Sequence, residues 1–207
     1  AGLEPILSAL DRLDAEEAQR LLALQLSAMG PVTFARELAL PLAHEIGERW
    51  VNKRMGIASE HLAMGILRSM LGSALTPTAA SRLGPTIVFA TPTGEPHELG
   101  LQSAALTALG AGANPIYLGA ELPVKDLVGA VADVGAVVLA LSLVTLPKSQ
   151  AAQAVATIRS DLPEETRLWI GGPGAATITA PSGGEQMGNL EEFERRVALL
   201  GFEKSGR

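Results

Sequence analysis

The sequence predicts an all-α region followed by an α/β domain whose mainly parallel sheet is doubly wound. Three observations carry that expectation. From Leu3 to Leu75 apolar residues recur at spacings of three and four, and β-branched residues are sparse. From Thr86 onward, short uninterrupted apolar runs alternate with amphipathic stretches. Between the two lies a segment rich in Thr, Ser, Ala, Pro and Gly with no clear period. The expected organisation is therefore a helical region at 1–76, a linker at 77–84 and an α/β domain at 85–207.

The helical region reads as a four-helix bundle. After a first helix from Leu3, Asp14 is placed to cap a helix that opens with Glu16 and Glu17 and stops at Gly30-Pro31. A long helix should run from Pro31 to about Arg54, with a kink or a break at Pro41, which removes a backbone donor. Asn52 or Ser59 is expected to begin the last helix, which carries Glu60, His61, Leu62, Ile66, Leu67, Met70 and Leu71.

In the second region Thr86 to Ala90 reads as a strand, 98–109 as a helix and Pro115 to Leu118 as a strand. The alternation continues with a helix at 124–134, a strand at 136–141, a helix at 149–161, a strand at 167–170 and a last helix at about 190–200. Strands that are apolar without polar alternation are buried on both faces, so the sheet is parallel and covered by helices, in a Rossmann-like arrangement. Gly183-Gly184 reads as a surface turn and 203–207 as a frayed terminus.

At 207 residues the chain can bury a core without disulfides or a structural metal, and it has no cysteine, which excludes thiolate catalysis and cysteine-ligated zinc or iron-sulfur sites. Sixteen basic against 22 acidic residues give a net charge of −6, which opposes a general polyanion-binding surface. No apolar run approaches the roughly 18 to 20 residues of a membrane helix, so a soluble, cytoplasmic protein without membrane partners is expected.

Open α/β sheets bind ligands beyond the carboxyl ends of their strands, which directs attention to 91–98, 142–147 and 171–174. The first of these loops reads Thr-Pro-Thr-Gly-Glu-Pro-His-Glu, with His97 between acidic neighbours. A carboxylate accepting one ring N–H would fix the tautomer and leave the other nitrogen free for a metal. A lone loop histidine near a helix start can equally belong to the helix cap. The loop lacks a Gly-x-Gly-x-x-Gly turn, which disfavours a nicotinamide enzyme.

Glu95-Pro96-His97-Glu98-Leu99-Gly100 resembles the Asp-x-His-x-x-Gly signature of cobalamin-binding domains, with Glu95 in place of Asp. The resemblance implies that His97 is the lower cobalt ligand and that the displaced nucleotide tail enters between later loops. A Ser-x-Leu segment and a Gly-Gly pair line that channel in the family. Here Leu141-Ser142-Leu143-Val144-Thr145 and Gly171-Gly172 stand in those places; Leu141 departs from Ser, so Ser142 or Thr145 supplies the hydroxyl.

Trp50, followed after nine residues by Glu60-His61, resembles the signature of the CarH-type photoreceptors, which are adenosylcobalamin-dependent transcriptional repressors. The resemblance implies that the helical bundle caps the upper cobalt face, with Trp50 over the adenosyl group and Glu60 and His61 helping to hold it. It further implies a light sensor without catalytic turnover, a homotetramer in the dark reorganised by photolysis, and DNA contacts made by a helix-turn-helix domain that this chain lacks. The chain is then either the light-sensing portion of a longer repressor or a free-standing sensor. Val51 stands where those photoreceptors have a second ligating His, so His61 or His44 would have to serve instead; His44 is expected to pair with Glu48 one turn away. Two other readings stay open: a corrinoid carrier subunit of a methyltransferase system, and a cobalamin-binding antirepressor acting through a partner protein.

Overall fold

The computed structural model describes residues 2–76 and 83–205 and divides into two compact units, Ala1–Leu75 and Thr76–Arg207. The expected linker at 77–84 falls mostly on residues outside those described.

The first unit is helical. Helix α1 (Glu4–Asp11) opens on Pro5 and buries Ile6, Leu7, Ala9 and Leu10. Helix α2 (Ala15–Met29) is capped by Asp14, whose carboxylate accepts the Glu17 N–H at 3.1 Å, a contact that stabilises it by about 1 kcal/mol. Gly30, at φ 76°, ends α2 and leads directly into α3 (Pro31–Phe34). The expected break at Pro41 takes a specific form. A π-helical turn at Ala35–Ala39 joins α3 to α4 (Leu40–Val51), with the Leu40 N–H bonded to the Ala35 carbonyl. The chain widens by one residue just before the proline that cannot donate.

Helix α5 (Ile57–Ala74) begins after Gly56, not at Asn52 or Ser59; the extended Gly56 accepts the Ser59 and Glu60 amides through its carbonyl, and Ser59 is buried in the first turn. Arg49 reaches Glu45 on its own helix at 2.7 Å and Glu4 of α1 at 3.2 Å. His44 and Glu48 are both exposed and form no pair; at i,i+4 on this surface the partners are Glu45 and Arg49.

The second unit contains a five-stranded parallel sheet: β1 (Thr86–Pro92), β2 (Asn114–Leu122), β3 (Val138–Ser142), β4 (Arg167–Gly171) and β5 (Gly184–Gln186) in the order β2-β1-β3-β4-β5. Helices α6 (Leu99–Gly110), α7 (Val124–Asp133), α8 (Lys148–Asp161) and α9 (Leu190–Ser205) accompany it. Strand residues alternate between two buried faces. Val88, Ala90, Leu139, Leu141, Leu168 and Ile170 pack with Leu127, Val131, Val155 and Ile158 of α7 and α8. On the other face Phe89 and Trp169 meet Phe193 of α9 edge to face, at centroid distances of 6.0 and 5.5 Å.

Two expectations fail in this unit. Gly183-Gly184 is not merely a surface turn, because Gly184 starts β5, fastened by the Gln186 amide to the Ala175 and Ile178 carbonyls at 2.8 Å each. The last helix continues to Ser205 where fraying was expected over 203–207; the remainder of that segment, 206–207, lies outside the described residues. Among the described residues no helix is long and apolar enough to cross a membrane.

Candidate functional site

The strand order reverses at β1 and β3, which lie side by side although a helix, a strand and a second helix separate them in sequence. Loops leaving such neighbours in opposite directions open a crevice at their carboxyl ends. The loop after β1 and the loop after β3 border that crevice here.

Glu95 joins them. Its side chain is fully buried, and its two oxygens have different partners. Oε1 faces its own loop, accepting the His97 ring at Nδ1 (2.7 Å) and the His97 amide (3.2 Å). Oε2 faces the other loop and accepts three successive amides, those of Val144 (2.7 Å), Thr145 (2.7 Å) and Leu146 (2.9 Å). The Thr145 hydroxyl lies 3.4 Å from Oε1 and 3.1 Å from His97 Nδ1. Thr91, also fully buried, donates its hydroxyl to the Glu95 carbonyl and accepts the Glu121 amide at 2.9 Å, so the backbone that carries Glu95 is itself held. Gly94, at φ 88°, makes the turn between them.

Burial alone would raise the Glu95 pKa. The amides of Val144 and Leu146, the His97 ring and the Thr145 amide outweigh it and hold the carboxyl below the usual carboxylate range. Because the folded value lies below the unfolded one, this contribution to stability is complete above the ordinary carboxylate range and is lost as pH falls through the lowered folded value. Acid unfolding of the wild type should therefore be steeper in that window than that of Glu95→Gln, which has no such proton to take up; superimposable acid limbs would contradict the assignment.

With Nδ1 engaged by a carboxylate, Nε2 is the nitrogen left to act as donor, on a side chain that is 51% exposed. The ring caps no helix: α6 starts after Glu98 without a side-chain cap bond. Glu98 turns instead to the Tyr117 hydroxyl at 2.7 Å. Among the described residues no three His, Asp or Glu side chains cluster as a metal site. One oriented imidazole on its own suits a metal already held by a macrocycle.

The other predicted positions of this unit lie around the same edge. Gly100 sits in the first turn of α6, where a Cβ would come 3.7 Å from the Ser142 hydroxyl. Ser142 ends β3 in register with Gly171 at the end of β4. Leu143 is fully buried in the core; its amide donates to the Gly171 carbonyl at 3.0 Å and its carbonyl accepts from Gly174 at 2.9 Å. Gly172, at φ 90°, could not carry a Cβ, which would lie 2.3 Å from the Leu143 oxygen. At Gly171 a Cβ would find only ordinary contacts. The protein's own packing thus requires glycine at 172 but not at 171.

In the helical unit, Trp50 stands in the last turn of α4 and is 50% exposed, so it is not a core residue. Val51 is 66% exposed and has no lone pair to offer. Glu60, partly buried, and His61, exposed, follow in the first turns of α5 with Oε2 and Nε2 3.6 Å apart. His61 also borders a concavity of about 340 Å³ with Gln19, Leu62, Gly65, Ile66, Ser69 and Met70.

Residues 3–73 match the sequence model of the family described as B12 binding domain. The chain is 31% identical over 180 residues to the HTH-type transcriptional repressor CarH of Myxococcus xanthus, an alignment covering 86% of this chain and 59% of that protein. The chain is a cobalamin-binding portion of the CarH type. A second relative is the HTH-type transcriptional repressor CarA of the same organism, 29% identical over 154 residues, which are 74% of this chain and 51% of that protein. The chain thus spans a little over half the length of these curated relatives. Its fold is shared with the Methanosarcina barkeri monomethylamine corrinoid protein, with a TM-score of 0.69, 12% identity, and 94% of this chain and 95% of that one covered.

The residues of this CarH-type portion suit a corrinoid: one imidazole oriented by a carboxylate and a crevice at the reversal of strand order. Thr91 and the reach of Glu95 to the β3 loop escaped the sequence reading. A threonine at a strand end looks like any β-former, and a contact between positions about fifty apart depends on strand order.

Proposed function

We propose that this chain is the adenosylcobalamin-binding, light-sensing portion of a transcriptional regulator. The observation that carries the reading is the Glu95–His97 pair at the β1/β3 crevice, an imidazole held through Nδ1 that would serve as the cobalt ligand. When bound, adenosylcobalamin supplies a cobalt–carbon bond that light cleaves. His97 would hold the cobalt. Ser142, Thr145, Gly171 and Gly172 would border the channel for the nucleotide tail, while Leu143 backs it from the core. Trp50, Glu60 and His61 would hold the adenosyl group, and the indole supports this because half of its surface is exposed. The part these residues play is binding and release, with no catalytic turnover. In the dark the chain self-associates as a homotetramer, and DNA is contacted through a helix-turn-helix domain outside this sequence. The similarity to two repressors supports the regulatory output.

A bound group shifts an assembly equilibrium only by its differential affinity for the two states, so the response depends on the contacts Trp50 makes. Size-exclusion chromatography with absorbance detection, run in the dark with adenosylcobalamin and repeated after green light, tests this. The expected result is a larger dark species that becomes smaller on illumination. Trp50→Ala should lose the adenosyl-dependent assembly while still binding hydroxocobalamin. A preference for methylcobalamin, with methyl transfer to an acceptor and no change in size, would instead identify a carrier subunit.

A further inference from the structure

Three successive backbone amides that converge on one oxygen form a nest, a concavity of partial positive charge that binds an anion. The nest at Val144, Thr145 and Leu146 lies just ahead of α8 and is filled from inside the protein by Glu95 Oε2, at 2.7, 2.7 and 2.9 Å. A carboxylate used only to orient the His97 ring would need one oxygen. The second oxygen holds a different loop. That loop is in turn bonded to the loop after β4 through the Leu143 amide to Gly171 and the Gly174 amide to Leu143. A continuous set of hydrogen bonds therefore runs from the His97 ring through Glu95 and the nest to the Gly171–Gly174 segment.

We propose that Glu95 is a positioning residue that acts as a built-in anion for the 144–146 nest, tethering the β3 loop to the β1 loop independently of the His97 ring. Emptying the nest frees the β3 loop, and a small external carboxylate can take the vacated place. Its consequence for corrinoid binding rests on the reading given above: ligand loop and tail-channel loops are set together, so loosening one loosens the other.

Hydrogen exchange by NMR on the corrinoid-free full chain reads the tether directly. Glu95→Ala should speed exchange of the Val144, Thr145 and Leu146 amides by about tenfold or more, as loss of bonds to a charged acceptor requires. Added formate, against chloride at equal ionic strength, should restore their protection in Glu95→Ala and change nothing in the wild type. In His97→Ala the three amides should stay protected, and Glu95→Ala should release them in that background too. Should Glu95→Ala not fold, Glu95→Gln, which keeps the shape with a weaker acceptor, should still accelerate these three amides above their neighbours. Unchanged exchange in the Glu95 variant, protection that formate does not restore, or release by His97→Ala alone each overturns the proposal. Because no corrinoid is present, this outcome is separate from that of titrating the wild type with hydroxocobalamin, where failure to bind would defeat the functional reading and leave the tether standing.

Discussion

His97→Ala is expected to lower affinity for hydroxocobalamin by at least about a hundredfold, since even residues that only support a metal ligand account for 10- to 100-fold. The imidazole is oriented by the Nδ1 bond to Glu95 at 2.7 Å, and no other histidine stands in this unit of the chain. The same substitution should leave the corrinoid-free protein folded. The ring is half exposed, and Glu95 keeps its four amide donors when the ring is gone. Its melting temperature should therefore stay close to that of the wild type, within the shift expected for about 1 kcal/mol. Titration followed by absorbance, paired with a thermal melt of the apo variant, separates the two effects. Unaltered affinity with an unaltered spectrum would remove His97 from the cobalt.

The two adjacent glycines should part company on substitution. Gly172→Ala puts a side chain on a backbone at φ 90° and a Cβ 2.3 Å from the Leu143 carbonyl oxygen, which is itself pinned by the Gly174 amide. Strain of that kind together with a forced shift of buried backbone costs about 3 kcal/mol or more. Gly171→Ala meets nothing nearer than Met187 Cβ and the Met187 carbonyl at 3.9 Å, so its stability should lie within about 0.5 kcal/mol of wild type. If the cofactor's tail passes against the backbone at 171, Gly171→Ala should nonetheless weaken corrinoid binding. Urea melts of both variants and a corrinoid titration of Gly171→Ala check the pair. Equal stability for the two variants would mean that the β3 and β4 loops do not meet as described.

The sequence made the architecture legible where the signal was local. Uninterrupted apolar runs such as Thr86 to Ala90 declare a strand buried on both faces, and Asp14 declares a helix start three residues before the amide it accepts. Strand β5 was hidden because Gly-Glu-Gln has neither apolar content nor β-branching, and it is defined by pairing with β4 alone. The π turn was half visible: Pro41 announced a disturbance, but its form depends on which carbonyl the Leu40 amide finds. His97 could be singled out because strand ends are where ligands bind. The division of Glu95 between two loops could not, since nothing local places the loop after β3 beside the loop after β1. Trp50 showed itself only as part of a spaced pattern, and its exposure at the end of α4 is information the pattern does not contain.

The central claim is that the His97 imidazole is the nitrogen on cobalt, and electron paramagnetic resonance of the protein reduced to the cobalt(II) corrinoid reads that nitrogen directly. The spectrum should show coupling to one axial nitrogen, and growing the protein with ¹⁵N-histidine should turn each three-line splitting into two. Splittings that do not respond to labelled histidine would mean that the corrinoid keeps its own base, and the account given for this site would be wrong.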